Sequence, residues 1–119
     1  MHKSQHLELL ETGLVTRMRL MDERPAFGKE AAELAKEWNG VVDRTHCRTL
    51  IMDCSNIAIL TSEMLSKLVL LERRLKQQHG SLVLSGLRPE IREVLSWTKL
   101  DRFFQIEEEA ETVAAIQEG

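Results

Sequence analysis

Thr61 and Ser62 are neighbouring hydroxyls at the point where a long run of helical periodicity begins. A hydroxyl there can take a hydrogen bond from an unpaired first-turn amide. It can also carry a phosphate into the positive end of the helix dipole. Asp53, at the end of a short apolar run, is the most enzyme-like single residue, but no catalytic partner stands near it, so capping or loop-bracing is the larger expectation. Cys54 beside it has no nearby base in sequence to make it a thiolate. His2, His6, His46 and His79 share no metal-ligand spacing with one another or with Cys47 and Cys54. His79, next to Gly80, reads as a helix-end cation. Glycine-rich phosphate loops, the dinucleotide fingerprint and a glycine-flanked serine elbow are all missing. The expectation is a protein that is not an enzyme, with no catalytic residue, no metal and no cofactor.

The elements that position these residues follow from apolar periodicity. Residues 49–52 (TLIM) are too few for a helix and read as a buried strand leading to Asp53. A polar break at 54–56 and an apolar step at 57–60 precede a helix capped by Thr61 or Ser62. Leu65, Leu68, Val69 and Leu75 recur on its inner face, while Lys67, Glu72, Arg73, Lys76 and Gln77 take the other. Gly80 is expected to close it in a left-handed conformation. Upstream, residues 7–10 and 14–20 form a hairpin through a turn at Glu11-Thr12-Gly13. Leu14, Thr16, Met18 and Leu20 share one face of its second strand, opposite Val15, Arg17 and Arg19. Residues 21–28, broken by Pro25, are a loop. Residues 29–38 are helical, with a stripe of Ala31, Leu34, Ala35 and Trp38; Asn39-Gly40 is expected to stop the helix, leaving 41–46 as a second turn or a frayed extension.

Downstream, residues 81–86 give another buried strand. Pro89 opens a helix with Ile91, Val94 and Leu95 inward, ending by residues 97–100. Residues 103–106 form a last strand, and the acids at 107–109 open a terminal helix through Ile116. Those acids also fit a recognition patch, though an exposed helix start is the commoner case. Trp97 is either a surface anchor or packed with Leu100 and Phe103. The order β-β-α-β-α-β-α-β-α implies an α/β fold, with a mixed, mostly parallel sheet covered by helices. One domain is expected over residues 1–119, with its core at about 7–116.

Composition agrees: 43% apolar and 29% charged residues suit a globular domain with a soluble surface. A net charge of −3 argues against nucleic acid as the main partner. No apolar run approaches membrane-spanning length, and MHKSQH has no signal-peptide core. Cys47 and Cys54, around one strand, suggest no stapled scaffold, so a reducing cytoplasm is expected.

The run LIMDCSNIAILTSEMLSKLVLLERRLKQQHGSLVLSGL, followed by PEIREVLSWTKLDRFFQI, resembles the STAS domain, the fold of bacterial anti-sigma-factor antagonists. Leu50-Ile51-Met52-Asp53 matches the family's strand ending near an aspartate, and Ile59-Leu60 its apolar step. Ser62 falls on the serine that family members have phosphorylated, Gly80 keeps the family's distance from it, and Pro89 through Phe104 matches the later segment. The switch motif departs. Thr61 stands where the family has Asp, Glu63 where it has a second Ser or Thr, and Met64 and Ser66 where it has glycines. Met21-Asp22-Glu23-Arg24-Pro25 replaces a turn that in the family commonly holds glycine.

The resemblance implies a non-enzymatic partner-switching regulator of transcription. The unmodified domain binds an anti-sigma factor that is also a serine kinase; phosphate on Ser62 ends that binding and a phosphatase restores it. Thr61, Ser62, Glu63 and Ser66 would line the docking surface, Asp53 would brace the loop before it, and any nucleotide would belong to the kinase. Met64 and Ser66 would alter which partner docks. The alternative is a binding module without a switch, part of a larger signalling or transport complex, with Glu63 as constant negative charge. Exposed strand edges would permit a homodimer without requiring one.

Overall fold

The computed structural model describes residues 6–22, 24 and 26–107. Strand β1 (Leu7–Glu11) pairs antiparallel with β2 (Val15–Leu20), as the hairpin pattern predicts. Then come α1 (Gly28–Thr45), β3 (Thr49–Asp53), α2 (Ser62–Gln77), β4 (Ser81–Ser85), α3 (Pro89–Trp97), a 3-10 turn (Leu100–Arg102) and β5 (Gln105–Ile106). The strands lie in sequence order, β1-β2-β3-β4-β5, parallel from β2 onward. Met18, Met52 and Leu84 stand in register across the centre.

Strands taken in order with right-handed crossovers put all three helices on one face of the sheet. The core forms there. Met18, Leu50, Met52, Leu82 and Leu84 meet Leu34 and Trp38 from α1, Leu68, Leu71 and Leu75 from α2, and Leu95 from α3. Side chains alternate along a strand, so Ile51 and Val83 fall on the opposite face with Arg17 and Arg19. All crossovers running the same way also collect the starts of α1, α2 and α3 at one end of the sheet, beyond the carboxyl ends of β2, β3 and β4.

Several expectations change. Helix α1 does not stop at Asn39-Gly40. Buried Val41 and Val42 continue its stripe, and the Asn39 amide donates to the Ala35 carbonyl at 2.9 Å while its oxygen accepts from Arg74 at 2.8 Å. Burial and a neighbour's guanidinium outweigh the local preference of Asn-Gly to break a helix. Its end is His46, left-handed at φ 50°, whose N–H donates to the Val42 carbonyl at 3.0 Å. Glu72 is not on the outer face of α2: it is 3% exposed, and its Oε2 has no hydrogen-bond partner among the described residues. The left-handed residue after α2 is His79, at φ 61°. Gly80 serves a different need, because a Cβ there would lie 2.5 Å from the Arg48 carbonyl oxygen.

In α3, Ile91 and Leu95 are buried but Val94 is half exposed. Trp97 is 74% exposed and does not join the core. The last strand is shorter than expected, with Phe103 and Phe104 outside it, edge to face at 5.1 Å. Most of the acidic opening and the terminal helix expected after it lie beyond residue 107, outside the described residues. Among the described residues no helix is long and apolar enough to cross a membrane, and no His, Cys, Asp or Glu group could hold a metal.

Candidate functional site

The tip of α2 is built by its cap. Thr61 is extended, at φ −76° and ψ 158°, and its Oγ1 accepts from the Met64 amide at 3.1 Å. The same hydroxyl donates to the Ala26 carbonyl at 2.7 Å. Both hydrogen-bonding roles are used inward and Thr61 is 7% exposed, so it braces the tip instead of lining a docking surface. Ser62, the first helical residue, is exposed. Ser66 is exposed one turn later on the same face.

Glu63 is exposed but engaged: its Oε2 accepts from the Gly28 amide at 2.5 Å, joining the starts of α2 and α1. Met64 turns inward and is buried in the core with Leu20, Ala26, Leu34 and Ile57. The expectation that Met64 reshapes the surface therefore fails. On this amphipathic helix a residue two after Ser62 falls on the core side, and an apolar side chain fills that space.

The loop before the helix is tied on three sides. Asp53 ends β3, 19% exposed at its side chain, accepting from Arg19 Nε at 3.0 Å and from the Ser55 amide at 2.9 Å. Burial pushes the Asp53 carboxyl up, but Ser55 and the Arg19 guanidinium outweigh it and hold it below the ordinary value. Asp53 is thus a brace at the end of the sheet. The Asn56 side chain donates to the Leu20 carbonyl at 3.1 Å, and Arg88 Nε to the Ser55 carbonyl at 3.2 Å. Cys54 is fully buried, and that burial, with the Asp53 charge beside it, pushes its thiol up to about 12, which removes it as a nucleophile.

Four of the residues singled out in sequence, Thr61, Ser62, Glu63 and Ser66, thus stand on one helix start, and Asp53 braces the loop leading to it. Sequence reasoning missed Phe27 and read Ile59 only as part of the apolar step before α2. They are 59% and 58% exposed, large apolar side chains near the start of α2. Phe27 is the residue before α1, held close by the Ala26 and Gly28 bonds to Thr61 and Glu63. An aromatic in a charged, proline-broken loop was the available signal.

A sequence model of the STAS domain matches residues 23–113. The chain belongs to the STAS domain family. Solved structures agree on the fold. An anti-sigma-factor antagonist (STAS) domain protein from Planctomyces limnophilus superposes with a TM-score of 0.75 at 18% identity, covering 93% of this chain and 96% of that one. An anti-sigma factor antagonist from Mycobacterium paratuberculosis gives 0.67 at 20% identity, over 84% of each chain. The Bacillus cell fate determinant SpoIIAA in its phosphorylated form gives 0.63 at 15%, over 92% of this chain and 98% of that one. Among curated proteins none matches the chain. This STAS domain therefore resembles anti-sigma-factor antagonists in fold.

Proposed function

We propose that the tip of α2 is a docking site for a partner protein, of the kind an anti-sigma-factor antagonist binds: an anti-sigma factor that is also a serine kinase. The observation that carries this reading is an exposed serine at the first helical position, near two exposed apolar side chains, Phe27 and Ile59. Exposed large apolar groups rimmed by polar ones mark sites of protein interaction. Docking engages Phe27, Ile59, Ser62 and Ser66, with Thr61 and Glu63 shaping the surface from beneath and beside it. Phosphorylation moves a phosphoryl group from the kinase's ATP to Ser62 Oγ, releasing ADP and passing the hydroxyl proton to the kinase. Close to two negative charges then replace a neutral hydroxyl at the interface, and binding ends until a phosphatase removes them. The protein acts by binding, without turnover and without a cofactor, in the cytoplasm.

A second reading, a STAS module that docks without a switch, is favoured by one observation: the Glu63 carboxylate stands next to Ser62 and would repel a phosphate. Peptide mass spectrometry on residues 56–67 from native cells, with co-purification of the partner by wild type, Ser62→Asp and Phe27→Ala/Ile59→Ala chains, separates the readings. The switch predicts phosphate on Ser62 and partner binding weakened about tenfold or more by either variant. Docking by Ser62→Asp at wild-type strength, with no phosphate under any growth condition, gives the constitutive module. Undiminished capture by the Phe27→Ala/Ile59→Ala chain overturns the docking site itself.

A further inference from the structure

Helix α1 begins without a cap of its own. The preceding residue, Phe27, is extended at φ −125° and ψ 154° and its side chain has no oxygen to offer, so the first amide of the helix, Gly28 N–H, has no local acceptor. The acceptor comes from 35 residues away: Glu63 Oε2, at 2.5 Å. We propose that Glu63 caps α1 from α2, and that negative charge on Ser62 is transmitted to Phe27 by pulling that cap away.

Three features make the contact a coupling device. Glu63 lies in the first turn of α2, so one carboxylate serves the positive ends of two helices. Residues 26–28 are held at both ends by consecutive parts of the α2 start: the Ala26 carbonyl by Thr61 and the Gly28 amide by Glu63. Between these two bonds stands Phe27, 59% exposed. Gly28 itself sits at φ 48°, a left-handed conformation that glycine adopts without the steric cost other residues meet. A negative group on Ser62 repels the adjacent carboxylate. When Glu63 moves off Gly28, α1 loses its cap and Phe27 loses one of its two flanking anchors. The consequence for partner docking rests on the reading given above; the coupling itself is a property of the isolated chain.

The test is amide hydrogen exchange followed by NMR on the full chain, with no partner present. Glu63→Ala should speed exchange of the Gly28 amide about fivefold, the scale of one lost cap. The amides of Ile51 and Leu82 in the central strands should be unchanged and so report an intact fold. Ser62→Asp should speed Gly28 exchange in the otherwise wild-type chain but not together with Glu63→Gln, which keeps an acceptor and removes the charge. Unchanged Gly28 exchange in Ser62→Asp overturns the proposal, as does equal acceleration with Gln at position 63. Should Glu63→Ala also loosen the strands, the comparison of Ser62→Asp with and without Glu63→Gln decides. A negative result leaves the docking site standing, and a chain that captures no partner can still show the coupling.

Discussion

Replacing Thr61 by Val removes one hydroxyl and keeps the shape, and that hydroxyl makes two buried bonds. Its acceptance from the Met64 amide is an N-cap, worth about 1 kcal/mol. Its donation to the Ala26 carbonyl, once lost, leaves a buried acceptor unpaired, which costs about 1–3 kcal/mol. The two consequences act at different atoms, so their sum, about 2–4 kcal/mol, is the expected loss. For a chain of this length that corresponds to a fall in Tm of roughly 8–16 °C. Urea denaturation followed by far-UV circular dichroism gives the change directly, with the m-value as a check that the unfolded reference has not moved. Thr61→Ser retains the oxygen and should recover most of the loss. Ser62→Ala, one residue on but exposed, should stay within about 0.5 kcal/mol of wild type. A Thr61→Val protein as stable as Ser62→Ala would refute the brace and return Thr61 to the surface.

Two further outcomes follow from His6 and Gly80. His6 Nδ1 lies 2.5 Å from Asp22 Oδ2, and that hydrogen bond, against the opposing pull of burial and with help from the charges of Asp22, Glu37 and Glu33, holds the imidazolium above its ordinary value of 6.5. The folded state binds this proton more tightly than the unfolded chain. The stabilisation is therefore fully present below the unfolded value and lost as pH rises through the raised folded one. Melting temperatures measured from about pH 6 to about pH 9 should fall more in wild type than in His6→Gln. Parallel curves would rule out the linkage. Gly80→Ala puts a methyl 2.5 Å from a backbone oxygen of Arg48, at the entry to β3 where the backbone cannot easily give way. Stability should drop by about 1–3 kcal/mol in urea titrations; a change under about 0.5 kcal/mol would mean the junction relaxes freely.

How far the sequence was legible depended on whether each interaction is local. Strands β3 and β4 were readable because a parallel strand buried on both faces is a short continuous apolar run. Asn39-Gly40 misled because its helix-breaking tendency is local, whereas Arg74 and the burial of Val41 and Val42 are contributed by the fold. Glu72 misled for the same reason: its charge predicts an outer position, and only the packed structure shows it inside. At the tip, a hydroxyl cap at Thr61 or Ser62 could be read from the start of the helical pattern, but not that Thr61 is the one turned inward and Ser62 the one exposed. Their connection to Phe27 could not, since it is made 35 residues away through Ala26 and Gly28. This changes what the departures from the family motif mean. Read as a string, Thr61, Glu63 and Met64 look like three substitutions on a recognition surface. In the folded chain Thr61 and Met64 are buried and Glu63 holds the start of α1, so these three act on the shape of the tip. Phe27, Ile59, Ser62 and Ser66 are the side chains that stay exposed there, so the docking proposed above is tested first at the two apolar ones.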